Sequence, residues 1–310
     1  MTAAVIVAAG RTDGKEHFAP EKQVGAISAV ERVALLLQEA GIRQIAVACG
    51  PDDQVKKLVP SRNLVFLPVP PGGEMLHAVQ AGLRYWAGRA DAVLVAQVDV
   101  PLFSTDTVRA LLAAPGDIRV PAYQGRCGHP VVLGGAAIPA VLAYQGPGGL
   151  KGALATSGLA RQVVAVDDPG IRSNIQKGGD YLSLLPGRDM QRLRLSFQLR
   201  LGKERIFYGP GIHQLLQLTE ETGSLSSACA HMGMSYSKGR KIVAVMEQQL
   251  GAPVLETQQG GASGGFSRLT APAREMVQRY EALCAEAEGT LAQLFQKHFP
   301  PEGTAEVSEA

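Results

Sequence analysis

Residues 223–241 read GSLSSACAHMGMSYSKGRK, and they contain two short helical patterns that meet at Gly233. Ser235 is the type of residue that caps a helix amino terminus, so we expect the second helix to begin just after it. Apolar or small residues recur at helical spacing in both patterns, which predicts two amphipathic helices joined by a tight turn. These residues are Leu225, Ala228, Cys229 and Met232 in the first, and Gly239, Ile242, Val243, Met246 and Leu250 in the second.

Polar and basic residues occupy the amino end and outer side of the second predicted helix. A helix that reads DNA needs this arrangement, because its first turns enter the major groove while hydroxyls and cations meet bases and phosphates. A helix-turn-helix is also a common packing unit, so the pattern alone leaves a purely structural role open. The residues concerned are Ser235, Tyr236, Ser237, Lys238, Arg240 and Lys241.

Two short predicted strands, residues 254–257 and 267–270, flank a glycine-rich tip at 258–266, as in the wing of a winged helix. Together these features resemble the amino-terminal ModE/LysR-like winged-helix domain of molybdate-responsive regulators. The resemblance implies binding of double-stranded DNA through the second helix and through Arg268 in the wing. It rests on Phe207-Tyr-Gly-Pro-Gly-Ile212, Glu221-Thr-Gly-Ser-Leu225, Gly233-Met-Ser-Tyr236, the glycine pairs at 260–261 and 264–265, and Arg268-Leu-Thr270.

The chain departs from that family in two respects. Gly239-Arg240 replaces the family's Ala-Trp pair, so the operator sequence is not carried over. No molybdate-binding tandem domain follows residue 310, so we expect any ligand to be sensed in another way.

Composition describes an ordinary globular chain. Its 310 residues suit two domains, and the 46% of hydrophobic residues is ample for their cores. A net charge of +2 predicts that any DNA contact is a local patch. The four cysteines show no CxxC spacing, and no apolar run reaches the ~20 residues of a membrane span, so we expect a cytoplasmic protein with reduced thiols and no membrane contact.

Strands and helices alternate over residues 1–185, which predicts an α/β, Rossmann-like domain with a mostly parallel sheet. Residues 190–300 form the second predicted domain, the winged helix with a C-terminal dimerisation helix. Parallel sheets bind ligands at the carboxyl ends of their strands, so the loops after Val7 and Val98 are the predicted site.

The first loop joins exposed backbone amides to two cations. It contains Ala8, Ala9, Gly10 and Arg11, and Lys22 follows further on. Such a loop can cradle a triphosphate and neutralise its charge, although an ordinary surface loop has the same composition.

The second loop places Asp99 just past an apolar strand, where a lone carboxylate can hold Mg²⁺ that bridges phosphates or can cap the following turn. With Gly125-Arg-Cys-Gly-His-Pro130, these loops resemble the MobA/MocA-like nucleotidyltransferases of molybdenum-cofactor maturation.

That resemblance implies a role for each loop. Ala8, Ala9, Gly10 and Arg11 would hold the nucleotide phosphates, and Lys22 would stabilise the transition state. Asp99 would bind Mg²⁺, with Arg11, Lys22 and Asp99 as the catalytic set. Gly128 and His129 would line the pocket, His129 as a substrate-orienting residue.

Two departures from the second family concern the same site. Thr12-Asp-Gly-Lys-Glu-His17 is acidic where a short glycine-rich turn is usual, and Asn174-Ile-Gln-Lys-Gly-Gly-Asp180 stands where the family has Asp-Ile-Asp-Thr-Pro-Glu-Asp. Asn174 would offer Mg²⁺ a carbonyl oxygen in place of a carboxylate.

Residues 192–201 alternate apolar and polar side chains, which predicts a half-buried hairpin strand. After Pro272, apolar residues recur at helical spacing, in a stripe that can pack inside one chain. The resemblance to winged-helix regulators favours a dimer seam, which would present two recognition helices to a two-fold operator. Its residues are Met276, Tyr280, Leu283, Ala287, Leu291 and Leu294, and Gly289 is a possible break.

Three functions follow from these patterns. The first is a nucleotidyltransferase that joins molybdopterin to a nucleoside triphosphate and releases pyrophosphate, with CTP slightly favoured over GTP. In this function the winged helix couples the enzyme to DNA. The second is a transcription regulator whose transferase fold has lost catalysis and senses a ligand. In the third, the winged helix mediates only dimerisation.

Overall fold

The computed structural model divides the chain into two compact units, Met1–Arg192 and Leu193–Ala310. No helix among the residues that it describes is long and apolar enough to cross a membrane. The described residues are 1–9, 11–12, 15–16, 20–50, 55–59, 64–70, 73–176, 181–185, 193, 195, 197–258 and 266–300.

An eight-stranded sheet forms the centre of the first unit. Two small hairpins, β2–β3 and β4–β5, precede the second strand of that sheet. In chain order the strands of this unit are β1 (Thr2–Val7), β2 (Arg11–Thr12), β3 (Lys15–Glu16), β4 (Gln23–Val24), β5 (Ile27–Ser28), β6 (Ile45–Cys49), β7 (Leu64–Pro68), β8 (Ala92–Gln97), β9 (Ile118–Tyr123), β10 (Arg126–Cys127), β11 (Val131–Gly134) and β12 (Arg161–Ala165).

The strand order is β10-β9-β11-β8-β1-β6-β7, with β12 paired to β9. Every strand runs parallel to β1 except β10 and β11, which confirms the predicted mostly parallel α/β sheet. Val5 lies between Ala46 and Val95 in the register. Apart from Thr2 and Gln97, the strands β1, β6 and β8 are apolar, because helices cover both faces of such a sheet.

Helices pack against this sheet through close contacts. Ser28 Oγ accepts the Glu31 N–H at 3.3 Å and so caps the first helix. On the third helix, a Cβ at Gly82 would lie 2.4 Å from the Val5 methyls, so only glycine permits this approach to β1. The helices are α1 (Ala29–Glu39), α2 (Val55–Leu58), α3 (Met75–Trp86), α4 (Thr105–Ala113), α5 (Ala137–Ala143) and α6 (Gly149–Thr156), with 3-10 turns at Pro169–Arg172 and Tyr181–Leu184.

The described residues of the second unit form three helices, two two-stranded sheets and a long final helix. A Cβ at Gly239 would lie 2.2 Å from Cys229 Sγ, so the two helices of the turn cross at a glycine. The elements are β13 (Leu201–Gly202), β14 (Ile206–Tyr208), α7 (Pro210–Thr222), α8 (Leu225–His231), α9 (Tyr236–Leu250), β15 (Leu255–Gln258), β16 (Phe266–Leu269) and α10 (Ala271–His298).

Two expectations for this unit were wrong. Among the described residues of 192–201, only Leu201 belongs to a strand, because β14, the partner of that strand, has three residues. Leu193 is 66% exposed and is therefore not half-buried. Helix α10 continues through Gly289 without the possible break. The predicted glycine-rich wing tip at 259–265 lies outside the described residues.

Candidate functional site

One stretch of chain, residues 168–176, lies against the loop that follows β8. We call it the 168–176 segment. The Asp168 carboxylate accepts hydrogen bonds from Gly170 N at 2.9 Å, Ser104 N at 2.7 Å and Thr107 Oγ1 at 2.7 Å. A Cβ at Gly170 would lie 1.7 Å from the Leu102 carbonyl oxygen, so the two backbones approach too closely for any other residue.

Asp99 lies beyond the end of β8 and is only 5% exposed. The Asn174 amide nitrogen donates to its Oδ2 at 2.6 Å, and Ile175 N donates to its main-chain oxygen at 2.8 Å. Asn174 Oδ1 accepts Gln176 N at 2.8 Å. These two partners fix the orientation of the amide, with its nitrogen towards Asp99 and one lone pair of its oxygen already in use.

Lys22 reaches the same segment from the other side. Its ammonium donates to the Ile175 carbonyl oxygen and lies 5.3 Å from the centre of the Tyr181 ring. Ile175 therefore joins Lys22 to Asp99 through its two main-chain groups. The structure brings together Lys22, Asp99 and Asn174, three residues that the sequence pattern selected in separate loops.

Gly128 and His129 contact the 168–176 segment at Ile171. His129 N donates to the Ile171 carbonyl at 2.8 Å, and a Cβ at Gly128 would lie 2.3 Å from the same oxygen. The His129 ring is partly exposed, but its Nδ1 is buried and has no hydrogen-bond partner among the described residues. Burial lowers the pKa of His129 to about 4, so the ring is neutral at pH 7.

The first predicted loop is described only in part. Ala8 is buried and donates its N–H to the Ala48 carbonyl at 2.9 Å, so this residue belongs to the sheet. Its N–H is therefore already bonded within the sheet. Ala9 is partly exposed at the end of β1. Gly10 lies outside the described residues, and Arg11 is described only as a backbone position in β2.

The charge of the site limits how it could hold a metal ion. Within the described part of the chain, no group of three His, Cys, Asp or Glu residues has a metal-binding arrangement. Mg²⁺ is commonly bound by one or two carboxylates together with nucleotide phosphates and water. Asp99 therefore fits a cation that arrives with a nucleotide, and does not by itself form a protein-only metal cage.

Sequence reasoning missed the residues that hold the site together. Asp168-Pro169-Gly170 is a turn signal, and this signal could have identified the 168–176 segment as a structured connection. The contacts of Ile175 are made by main-chain atoms, which are common to all residue types, so the sequence does not reveal them. The rest of the predicted motif, residues 177–180, lies outside the described residues.

The second unit carries the predicted DNA-binding residues on one exposed surface of α9. Ser235 Oγ accepts Lys238 N at 3.3 Å, as the cap predicted from sequence requires. Gly239 faces inward against Cys229. The exposed residues, which we call the α9 outer face, are Ser235, Tyr236, Ser237, Lys238, Arg240 and Lys241.

The β15–β16 hairpin is fixed to α7 at its base. Glu220 Oε2 accepts Leu269 N at 2.7 Å, and its Oε1 accepts Arg274 Nε at 2.7 Å. Burial raises the pKa of Glu220, but the bonds from Leu269 and Arg274 outweigh it and leave that pKa below its usual value. Arg268 is exposed on β16, with its guanidinium 5.3 Å from the Phe266 ring centre.

Comparison with known proteins gives a family profile that covers more than half of the chain. The sequence profile of the MobA-like NTP transferase domain matches residues 4–165. The chain is also 33% identical over 84 residues to the molybdenum-pterin-binding protein MopB of Rhodobacter capsulatus, which is 27% of this chain and 28% of MopB. The match therefore spans about a quarter of that relative's length.

Solved structures resemble the fold at low sequence identity. The manganese complex of Rv0371C from Mycobacterium tuberculosis H37Rv is 17% identical, with a TM-score of 0.50 over 60% of this chain and 98% of that one. A homologue of Rv0371c from Mycobacterium sp. strain JC1 is 21% identical, with a TM-score of 0.46 over 54% and 86%.

Proposed function

Because the chain belongs to the family of MobA-like NTP transferase domains, we propose that it is a nucleotidyltransferase of molybdenum-cofactor maturation. It joins molybdopterin to a nucleotide taken from a nucleoside triphosphate and releases pyrophosphate. The observation that carries this proposal is the link of Lys22 to Asp99 through Ile175, because it combines a cation and a carboxylate at one end of the sheet. Ligands bind at this end of parallel α/β sheets.

In the proposed reaction, a terminal phosphate oxygen of molybdopterin attacks the α-phosphorus of the triphosphate. A new phosphorus–oxygen bond forms while the bond between the α-phosphorus and its bridging oxygen to the β-phosphorus breaks, and pyrophosphate leaves with that oxygen. The attacking phosphate is already ionised at pH 7, so the reaction needs no strong base. A neutral His129 suits the orienting role better than a role in removing a proton.

Lys22 has the catalytic role in this scheme. Its ammonium is held by the Ile175 carbonyl and the Tyr181 ring, and a fixed cation stabilises the charge that develops on the transferring phosphate. Asp99 would hold Mg²⁺ that enters with the nucleotide, and this ion would neutralise phosphate charge. Ala9, Gly10 and Arg11 would bind the phosphates from the first loop.

Two similarities bear on the choice of substrates. The similarity to MopB, a molybdenum-pterin-binding protein by its name, favours a pterin as the acceptor. Gly128-His129-Pro130 resembles the cytidylyl branch of the family, which favours CTP over GTP.

The test is a pyrophosphate-release assay with purified protein, Mg²⁺ and molybdopterin, run separately with CTP, GTP and ATP. We expect release that needs molybdopterin and is fastest with CTP. A Lys22→Ala variant serves as the control for contaminating enzymes. No release with any of the three nucleotides, from a preparation that binds molybdopterin, would refute the transferase proposal.

A second function is favoured by two observations. The Asn174 amide nitrogen donates to the Asp99 carboxylate at 2.6 Å, so position 174 places an amide, and not a second carboxylate, beside Asp99. The α9 outer face presents Lys238, Arg240 and Lys241 to solvent, as a groove-binding helix would. We propose as the alternative a homodimeric DNA-binding regulator in which the transferase fold has lost catalysis and acts as a ligand sensor.

The two proposals differ in what a nucleotide or pterin does to DNA binding. A ligand changes DNA affinity only through its differential affinity for the DNA-binding states, and a typical coupling of ~1 to 3 kcal/mol gives several-fold to about hundredfold changes. The measurement is fluorescence anisotropy at fixed salt with a duplex selected from a random pool, with and without CTP, GTP or molybdopterin. Identical titrations under all conditions would contradict the sensor.

A further inference from the structure

Asp168 is a buried carboxylate outside the set of residues predicted to bind nucleotide. It is 1% exposed, and its two oxygens accept hydrogen bonds from three donors. One donor, Gly170 N, belongs to its own segment. The other two, Ser104 N and Thr107 Oγ1, belong to the start of α4, which follows the Asp99 loop. Asp168 therefore joins two parts of the chain that both lead to the site.

The far end of the same segment makes the contacts of the site. Asn174 and Ile175 bond to Asp99, and the Ile175 carbonyl holds Lys22. Between the two ends, Gly170 lies against the Leu102 carbonyl, where any Cβ would overlap it. Asp168 thus holds one end of a closely packed segment whose other end carries Ile175.

We propose that Asp168 is a positioning residue for nucleotidyl transfer. It sets the place of the Ile175 carbonyl and, through it, the place of the Lys22 ammonium. Asp168 acts through these groups and touches neither nucleotide nor acceptor. This inference rests on the proposed transferase function, so its test needs one measurement of Lys22 that does not depend on turnover.

Asp168→Asn is the first variant. The amide keeps the size of the carboxylate but replaces one acceptor oxygen with an NH₂ donor. In one orientation this donor faces the donors Ser104 N and Thr107 Oγ1, and in the other it faces the donor Gly170 N. We expect kcat for pyrophosphate release to fall about tenfold to a hundredfold, as for a small misplacement of a catalytic group, with KM for CTP within about threefold of wild type. The exposed neighbour Asp167 gives the matched control, Asp167→Asn, which should keep the wild-type kcat.

Thr107 supplies a second pair of variants in case Asp168→Asn does not fold. Thr107→Val removes the hydroxyl that donates to Asp168, while Thr107→Ser keeps it. We expect Thr107→Val to lower kcat in the same way and Thr107→Ser to restore it. A loss of active molecules would mimic a fall in kcat, so the stoichiometry of CTP binding is measured by calorimetry and should remain that of wild type.

Lys22 is monitored directly by its labelling rate with acetic anhydride, read by mass spectrometry. If Asp168 positions Lys22, both Asp168→Asn and Thr107→Val should change this rate at least about twofold against wild type, a shift well under 1 kcal/mol. Wild-type labelling and wild-type kcat in both variants would overturn the inference. Absence of pyrophosphate release in the wild-type protein would instead refute the transferase proposal, and the labelling result would still decide the role of Asp168.

Discussion

Asn174 donates its side-chain amide to the carboxylate of Asp99 across 2.6 Å, while its own oxygen accepts the Gln176 N–H. A neutral donor therefore stands beside the acidic group at the centre of the candidate site. Because residue 174 is an amide and not a carboxylate, a divalent cation would meet less negative charge there. The balance between metal binding and anion binding at this site should depend on this single residue.

Asn174→Asp should shift that balance towards metal. A second carboxylate beside Asp99 repels it, and a divalent cation relieves the repulsion. We expect CTP binding to tighten in the presence of Mg²⁺ and to weaken in its absence, as measured by calorimetry with and without chelator. Asn174→Ala removes the hydrogen bond without adding charge and is the control. Equal responses of the Asp and Ala variants would contradict this interpretation.

Asp99→Ala should abolish Mg²⁺-dependent nucleotide binding. Loss of groups around a metal costs about tenfold to a hundredfold in metal affinity, so we expect Mg²⁺·CTP affinity to fall by at least that factor. Asp106, an exposed acid on α4 that pairs with Arg109, gives the control variant Asp106→Ala. Calorimetry measures the affinity and circular dichroism the fold. Unchanged affinity in Asp99→Ala would remove the site assignment.

Stability should depend on pH through His129. Burial lowers its pKa from an ordinary 6.5 to about 4, so the unfolded chain binds more protons than the folded one between these values. Unfolding is therefore favoured as pH falls through this window, by up to about 3 kcal/mol at its lower end. His129→Asn should remove that part of the loss in urea titrations at pH 7 and pH 5. The exposed His77→Asn is the matched control, and the same pH dependence in both variants would count against a neutral His129 in the folded protein.

Removal of the cations on α9 should weaken DNA binding at every sequence tested. The triple variant Lys238→Ala, Arg240→Ala, Lys241→Ala is expected to reduce the slope of log affinity against log salt by about one for each phosphate that the protein no longer neutralises. Arg279→Ala with Lys297→Ala removes exposed cations of α10 and is the control. If the triple variant shifts DNA at the wild-type concentration, α9 does not face the duplex.

Helix α10 should form the seam of a homodimer. Among its buried residues are Ala273 and Tyr280, both in its first half, whereas Leu283 and Leu294 are 44% and 45% exposed. Leu283→Glu with Leu294→Glu should therefore shift the protein to monomer in sedimentation equilibrium. Val163, 50% exposed on β12, provides the control Val163→Glu. A wild-type protein that sediments as a monomer would refute the seam.

The sequence predicted the sheet and the two helices around Gly233 because their signals are local. Ser235 caps the helix expected after it, and the apolar run of β1 is buried. The prediction of a strand at 192–201 was wrong because alternation of apolar and polar residues indicates only that a segment is able to form a strand. The length of the partner strand decides whether it does. In the candidate site, Lys22 and Asp99 could be selected from their loops. Their link through Ile175 could not, since it depends on main-chain contacts between distant parts of the chain.

The 168–176 segment has a consequence for the order in which the site is assembled during synthesis. The matched family domain ends at residue 165, and every sheet strand has emerged by then, but Lys22 and Asp99 still lack the residue that joins them. A nascent chain released before Ile175 would carry the complete sheet with its two key side chains unconnected. Nucleotide binding would then indicate that the first unit is complete, and not only that its sheet has formed.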